Sequence, residues 1–202
     1  MLDYPAQEYW KRPAGKPRGE SDVNAIFLSV GIALSRWEAV EQLFSWLFGY
    51  FVESPAQAAT RAYGIVTANH SKRAMMDEAA QVFFRLRRAG EEFSKPLEKL
   101  LAHYGQAASR RGDIAHGMVM TFDVGGENLG SFLVPPVYNS RNTRAFAPQP
   151  VADNFTFSTV KYRYTSEEIS QFTMMFNDLQ QETMKYFGRL AKKYPQSQTV
   201  AS

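Results

Sequence analysis

Two arginines, an aspartate and a histidine stand together in Arg110-Arg111-Gly112-Asp113-Ile114-Ala115-His116-Gly117, and the rest of that stretch is small or apolar. Arginine is always charged and offers phosphate oxygens a planar fork of donors. Histidine exchanges a proton near neutral pH. A carboxylate between them can fix the imidazole tautomer, as orienting groups do at other acid–base sites. Nothing else in the 202 residues concentrates chemistry in this way. The other histidines, His70 and His103, have no ligand spacing toward His116, so no metal site and no cofactor are expected.

The elements that must position these side chains read as helices. Ser21 or Asp22 can cap a long one, whose stripe runs Val23, Ile26, Val30, Ala33/Leu34, Trp37, Val40, Phe44, Leu47/Phe48, Phe51. Ser29, Glu38, Gln42 and Ser45 fall opposite, and Trp37 and Trp46 are expected in the core. It spans about 45 Å at 1.5 Å per residue. Arg36, Glu38, Glu41 and Gln42 across its middle argue for a core helix rather than a membrane span. A shorter helix is expected over about Pro55 to Thr67. A third starts near Ser71, with Met75, Ala79, Val82/Phe83, Leu86 and Ala89 inward and Lys72, Arg73, Arg85, Arg87 and Arg88 outward.

The fourth helix restarts at Ser94-Lys95-Pro96 and carries Phe93, Leu97, Leu100/Leu101, Tyr104 and Ala107/Ala108 on one face. Extended by its own period, that stripe reaches Arg111 and then Ile114/Ala115. A guanidinium is thus due where an apolar residue belongs, and a buried one costs several kcal/mol unless paired. Two local geometries remain open. An unbroken helix sets Arg111 and His116 about 140° apart and makes Asp113 and His116 neighbours at i and i+3. A break at Gly112 lets Asp113 cap a fresh turn.

Beyond Gly117 the pattern changes to strand formers. Residues 118–122 and 131–134 flank the turn signal Gly125-Gly126, which predicts a β-hairpin. Residues 135–154 are turn-rich, and Phe155–Phe157 with Thr159–Tyr164 gives a third strand candidate, an edge strand with Lys161 and Arg163 facing out. Thr165-Ser-Glu-Glu168 has the form of a capping box. It opens a last helix with the stripe Ile169, Phe172, Phe176, Leu179, Thr183, Phe187, Leu190.

The expected class is mainly α, a helical bundle with a small antiparallel β-hairpin before the last helix. Residues 21–194 form one domain with a β-rich insertion at about 118–164. An extended basic arm (1–20) precedes it and a polar tail (195–202) follows. The arm holds Pro5, Pro13 and Pro17, which disfavour a helix, and its polar start lacks the apolar run of a signal peptide. Charge is mild, +3 with pI near 9.1, which permits a polyanionic partner without demanding one. There are no cysteines, so disulfides and thiolate metal sites are excluded and a cytoplasmic home is natural.

Arg111-Gly-Asp-Ile-Ala-His116-Gly resembles the Arg-x4–6-His signature of the HEPN superfamily, including its Ile-Ala-His-Gly ending. The resemblance covers about eight residues strictly, and the order of helices agrees with it loosely along the chain. It implies a HEPN-like helical bundle that dimerises and brings two motifs into one cleft. Many members are metal-independent ribonucleases acting as toxins, defence proteins or RNA-processing enzymes, so RNA, a second copy, and a protein antitoxin or regulator are the partners implied. Arg111 and His116 become the catalytic pair, Asp113 a supporting group and Arg110 a substrate contact. Gly112 departs from the polar residue usual after the motif arginine. Reading Arg110 as that arginine keeps an allowed spacing and puts Arg111 in the polar slot. The chemistry is coherent: histidine can deprotonate a 2′-hydroxyl or protonate a leaving oxygen, and arginine can stabilise charge on the phosphoryl group. Two alternatives stand beside it. One is a non-catalytic HEPN-like module that binds RNA, a nucleotide or a protein. The other is a purely structural role, with Arg111 and Asp113 as a buried salt bridge and His116 capping a helix.

Overall fold

The computed structural model describes residues 3–54, 56–136, 157–158 and 160–196, with the backbone alone for Ala56. The chain is mainly α-helical, 67% helix, with one small antiparallel hairpin before the last helix. The elements are α1 (Ala6–Tyr9), α2 (Val23–Phe51), α3 (Ala56–Ile65), α4 (Asn69–Arg87), α5 (Glu91–His116), β1 (Met118–Val124), β2 (Glu127–Val134) and α6 (Ser166–Lys193). They sort into two compact units, Met1–Trp10 with Glu38–Ala108 and Phe176–Ser202, and Lys11–Trp37 with Ser109–Met175.

The first unit is a helical bundle with an aromatic core. Phe44 meets Tyr104 at 4.5 Å, Phe83 meets Tyr50, Phe51 and Phe84, and Phe93 meets Tyr186. A polar thread runs through it. Tyr63 donates to the Tyr104 hydroxyl, Tyr104 donates to Glu41 at 2.7 Å, and Lys72 pairs with the same carboxylate while lying over the Tyr63 ring. Burial first, then the Glu41 charge, pushes the pKa of Tyr63 well above the ordinary phenol value. Tyr104 moves the same way, from burial and then from Tyr63 and Glu41. Both stay protonated and able to donate, which a partly buried carboxylate needs.

The second unit is organised around β2. On one edge β2 pairs with β1 in the register Met118↔Val134 to Phe122↔Gly130, with an irregularity before Asp123. The backbone groups of Ser131 and Leu133 point to the opposite edge. Glu20 bridges Ser131 there, and Tyr164 bridges Leu133, each through two bonds of 2.9 Å. The arm passes so near that a Cβ at Gly19 would lie 2.3 Å from the Ser131 carbonyl, and Gly130, at φ +89°, gives way on the other side. Phe122, Phe132 and Val134 form the core of the hairpin, with Phe157 packed on them.

Several sequence expectations change. The third strand reduces, in its described part, to the single bridge at Tyr164; residues 155, 156 and 159, and 137–154 of the turn-rich stretch, lie outside the described residues, as does Pro55. The arm is not wholly extended, since Ala6–Tyr9 makes one helical turn. The fifth element starts at Glu91 and runs through Pro96, which lies in its second turn and removes the N–H that would meet the Glu92 carbonyl. In α4 the buried stripe is Met76, Ala80, Phe83 and Phe84, one residue on from the expected one, and Val82 and Leu86 are exposed. Two overlapping stripes share Phe83, and the larger ring of Phe84 takes the buried side.

Within α2, Trp46 is about half exposed, whereas Ser29 and Ser45 are buried. Both serines return their hydroxyls to the helix backbone, at Ala25 and Gln42, which removes the cost of burying them. The expected stripe is buried at Ile26, at Ala33 and from Trp37 onward, and Phe27, Leu28 and Ile32, which lie off it, are exposed. By length and composition alone α2 would suffice to cross a membrane.

Candidate active site at the end of the fifth helix

Helix α5 runs unbroken through Gly112 to His116. Of the two geometries the sequence allowed, the structure takes the continuous one. Gly112 is not a hinge, and a Cβ built on it meets nothing within 4 Å. Gly112→Ala is therefore expected to raise stability by about 0.5–1 kcal/mol, measured by chemical denaturation; a loss of stability would show that this backbone needs glycine. The helix stops at Gly117, where a Cβ would sit 2.7 Å from the Leu133 side chain, so the turn into β1 requires close approach to β2.

Four donors converge on the Asp113 carboxylate. Arg12 forks onto it, Nε to Oδ2 and Nη2 to Oδ1, both at 2.9 Å. Arg110, one turn back on α5, places Nη1 3.1 Å from Oδ2. The Tyr164 hydroxyl donates to Oδ2 at 3.0 Å. The neighbouring Tyr162 hydroxyl donates to the Asp113 carbonyl at 2.9 Å, satisfying one of the four carbonyls that a helix end leaves without a partner. The Arg12 guanidinium lies over the Tyr162 ring, Tyr162 stacks on Tyr164 at 4.7 Å, and Tyr164 meets Phe172 edge-on. Burial opposes the Arg12 charge, but the hydrogen bond and charge of Asp113 outweigh it and raise its pKa. Burial and then the Asp113 charge drive both tyrosines far above the ordinary phenol range, so both remain donors.

The arm that supplies Arg12 is tied down along its length. Arg163 donates to the carbonyls of Lys16, Gly15 and Phe157 and lies over the Phe157 ring. Lys16 pairs with Glu167 and Arg18 with Glu127. The Glu20 carboxylate accepts from both the backbone N–H and the hydroxyl of Ser166 at the start of α6. The capping box operates as expected there: the Thr165 N–H donates to Glu168 at 2.8 Å and the Glu168 N–H returns to the Thr165 hydroxyl.

The sequence-derived residues separate into two groups. Arg110 is the most buried cation of the stretch, 8% exposed, with its Nε unpartnered among the described residues. It, rather than the half-buried Arg111, occupies the apolar stripe and pairs with Asp113. Asp113 spends its oxygens on guanidiniums and a phenol and none on an imidazole. His116 is exposed, and no hydrogen bond or ion pair holds its ring among the described residues. Arg12, Tyr162 and Tyr164 were not picked out by sequence reasoning as site residues. The alternation of Tyr162 and Tyr164 was a signal that they share a face, but nothing in a single sequence links position 12 to position 113. Among the described residues no group of three or more histidines and carboxylates could hold a metal ion.

No family model, no curated protein and no solved structure matches the chain. The resemblance to HEPN proteins therefore stands on the motif residues alone.

Proposed function

We propose that the chain is a metal-independent endoribonuclease of the HEPN type, on a HEPN-like fold, acting as a homodimer in the cytoplasm. The single observation behind it is His116, exposed at the tip of α5 with no hydrogen bond or ion pair on its ring among the described residues, in the motif position of the catalytic histidine. Cleavage needs two proton transfers. One imidazole takes the 2′-hydroxyl proton as the 2′-oxygen bonds to phosphorus, and a second protonates the 5′-oxygen as its bond to phosphorus breaks, leaving a 2′,3′-cyclic phosphate. One chain brings one such histidine, and two chains bring both. Arg111 stabilises the charge that develops on the phosphoryl oxygens. Arg110 and Asp113, assigned by the resemblance to substrate contact and catalysis, act instead through the internal ion pair that fixes the end of α5.

A non-catalytic module that binds RNA, a nucleotide or a protein is favoured by one observation: Asp113 is fully engaged, so no motif carboxylate is left to orient the imidazole. Incubating the pure full-length protein with end-labelled RNA in excess chelator separates the two. Fragments ending in cyclic phosphate are the expected result. Intact RNA that is retarded by the protein, and released steeply by salt, sinks the nuclease and leaves the module.

A further inference from the structure

We infer that the segment Asp3–Trp10 is a latch on α5 that opens when His103 takes up a proton. The ring of His103 is buried, and its two nitrogens have partners of fixed polarity. The Trp10 indole N–H can only donate, and it points at Nδ1 from 3.1 Å. The Tyr4 carbonyl can only accept, and it faces Nε2 at 3.2 Å. The imidazole is therefore neutral, with its proton on Nε2. Protonation puts a second donor on Nδ1, opposite the indole N–H, and leaves both without an acceptor in a buried place. That arrangement expels Trp10 rather than adjusting to it.

The rest of the segment is held weakly enough to follow. α1 contains no buried residue. Trp10, 1% exposed, is the anchor, stacked on Phe176 at 5.6 Å. Tyr9 lies edge-on to His103 and donates to Asp178 at 2.8 Å. A segment with so few buried contacts is drawn from the low-stability end of a fold. A cavity of about 370 Å³ lined by Asp3, Tyr4, Pro5, Lys99, Ala102 and His103 gives protons access to the ring.

The charged and titratable groups around His103 are Asp3 and Tyr9 on the segment, Lys99 on α5 and Asp178 on α6; among the described residues no hydrogen bond or ion pair puts a carboxylate on the ring. Burial lowers the His103 pKa below its usual 6.5, the Tyr4 carbonyl offsets part of this, and the amino terminus adds to it. The closed latch thus binds fewer protons than the open one. It is fully favoured above about pH 6.5 and weakens as pH falls through the lowered value.

The test is indole amide exchange by NMR on full-length protein, with Trp10 assigned through Trp10→Phe. Between pH 7.5 and 5, once corrected for intrinsic exchange, the protection of Trp10 is expected to fall at least tenfold, while Trp37, also buried, keeps its own. Unchanged Trp10 protection while the His103 ring protons titrate overturns the latch, as does simultaneous loss at Trp37. In His103→Asn, Trp10 held without pH dependence, or open at every pH, supports it; the wild-type pH profile overturns it. Asp178→Asn is expected to keep the acid response, and loss of that response assigns the switch to Asp178 instead. RNA plays no part in this readout, so it stands or falls apart from the nuclease.

Discussion

Replacing His116 by alanine is expected to lower RNA cleavage by about 10²–10⁴-fold, the usual contribution of a positioned general acid or base. The melting profile should stay within about 0.5 kcal/mol of wild type, as for surface substitutions away from packing and hydrogen bonds. The contrast follows from the site: the ring is exposed and supports no other side chain among the described residues. A buried helix-capping histidine would behave in the opposite way, losing stability and touching no activity. Cleavage of labelled RNA and urea denaturation on the same preparation decide between them. If His116→Ala cuts RNA at the wild-type rate, proton transfer lies elsewhere and the motif has no catalytic meaning here.

Asp113→Ala carries the largest expected effect on stability, about 3–5 kcal/mol, because removing one partner of a buried pair leaves the other charge uncompensated. Arg110 is that charge, with its side chain 10% exposed and no second carboxylate paired with it among the described residues. The loss also strands the Tyr164 hydroxyl. Arg12→Ala should cost much less, since the Arg12 side chain is 27% exposed and water can replace part of what it loses. The order of the two losses is the diagnostic. Should Asp113→Ala cost under about 1 kcal/mol in urea, the carboxylate is not the hub of the second unit. If it proves stable but inactive, Asp113 acts on the substrate after all.

What could be read from the chain beforehand follows how far apart in sequence the partners lie. The α6 cap was legible because Thr165 and Glu168 are three residues apart and each supplies what the other lacks. The α5 stripe was legible from Phe93 to Ala108, where every expected position is buried. It erred by one residue at its end, where the stripe could be continued through Arg110 or Arg111 and only the pairing with Asp113 decides. In α4 the same ambiguity shifted the whole face. Trp46 was misplaced because size argues for burial only when a neighbour is there to cover it. The partners of Asp113 were out of reach: Arg12 lies 101 residues before it and Tyr164 51 residues after it, and such pairs leave no local pattern. The third strand failed for a related reason, since β propensity in residues 160–164 does not fix how many rungs the backbone will make.

The seam along β2 has a consequence for synthesis. Gly19 and Glu20 leave the ribosome more than a hundred residues ahead of Leu129 and Ser131, their hydrogen-bonding partners, and Glu20 then waits for Ser166. A nascent chain halted between those points carries a proline-bearing leader with bare amides and a carboxylate that caps nothing. The second unit thus closes after α6 has begun to emerge, and the clamp on Asp113 is among the last things the newborn polypeptide completes.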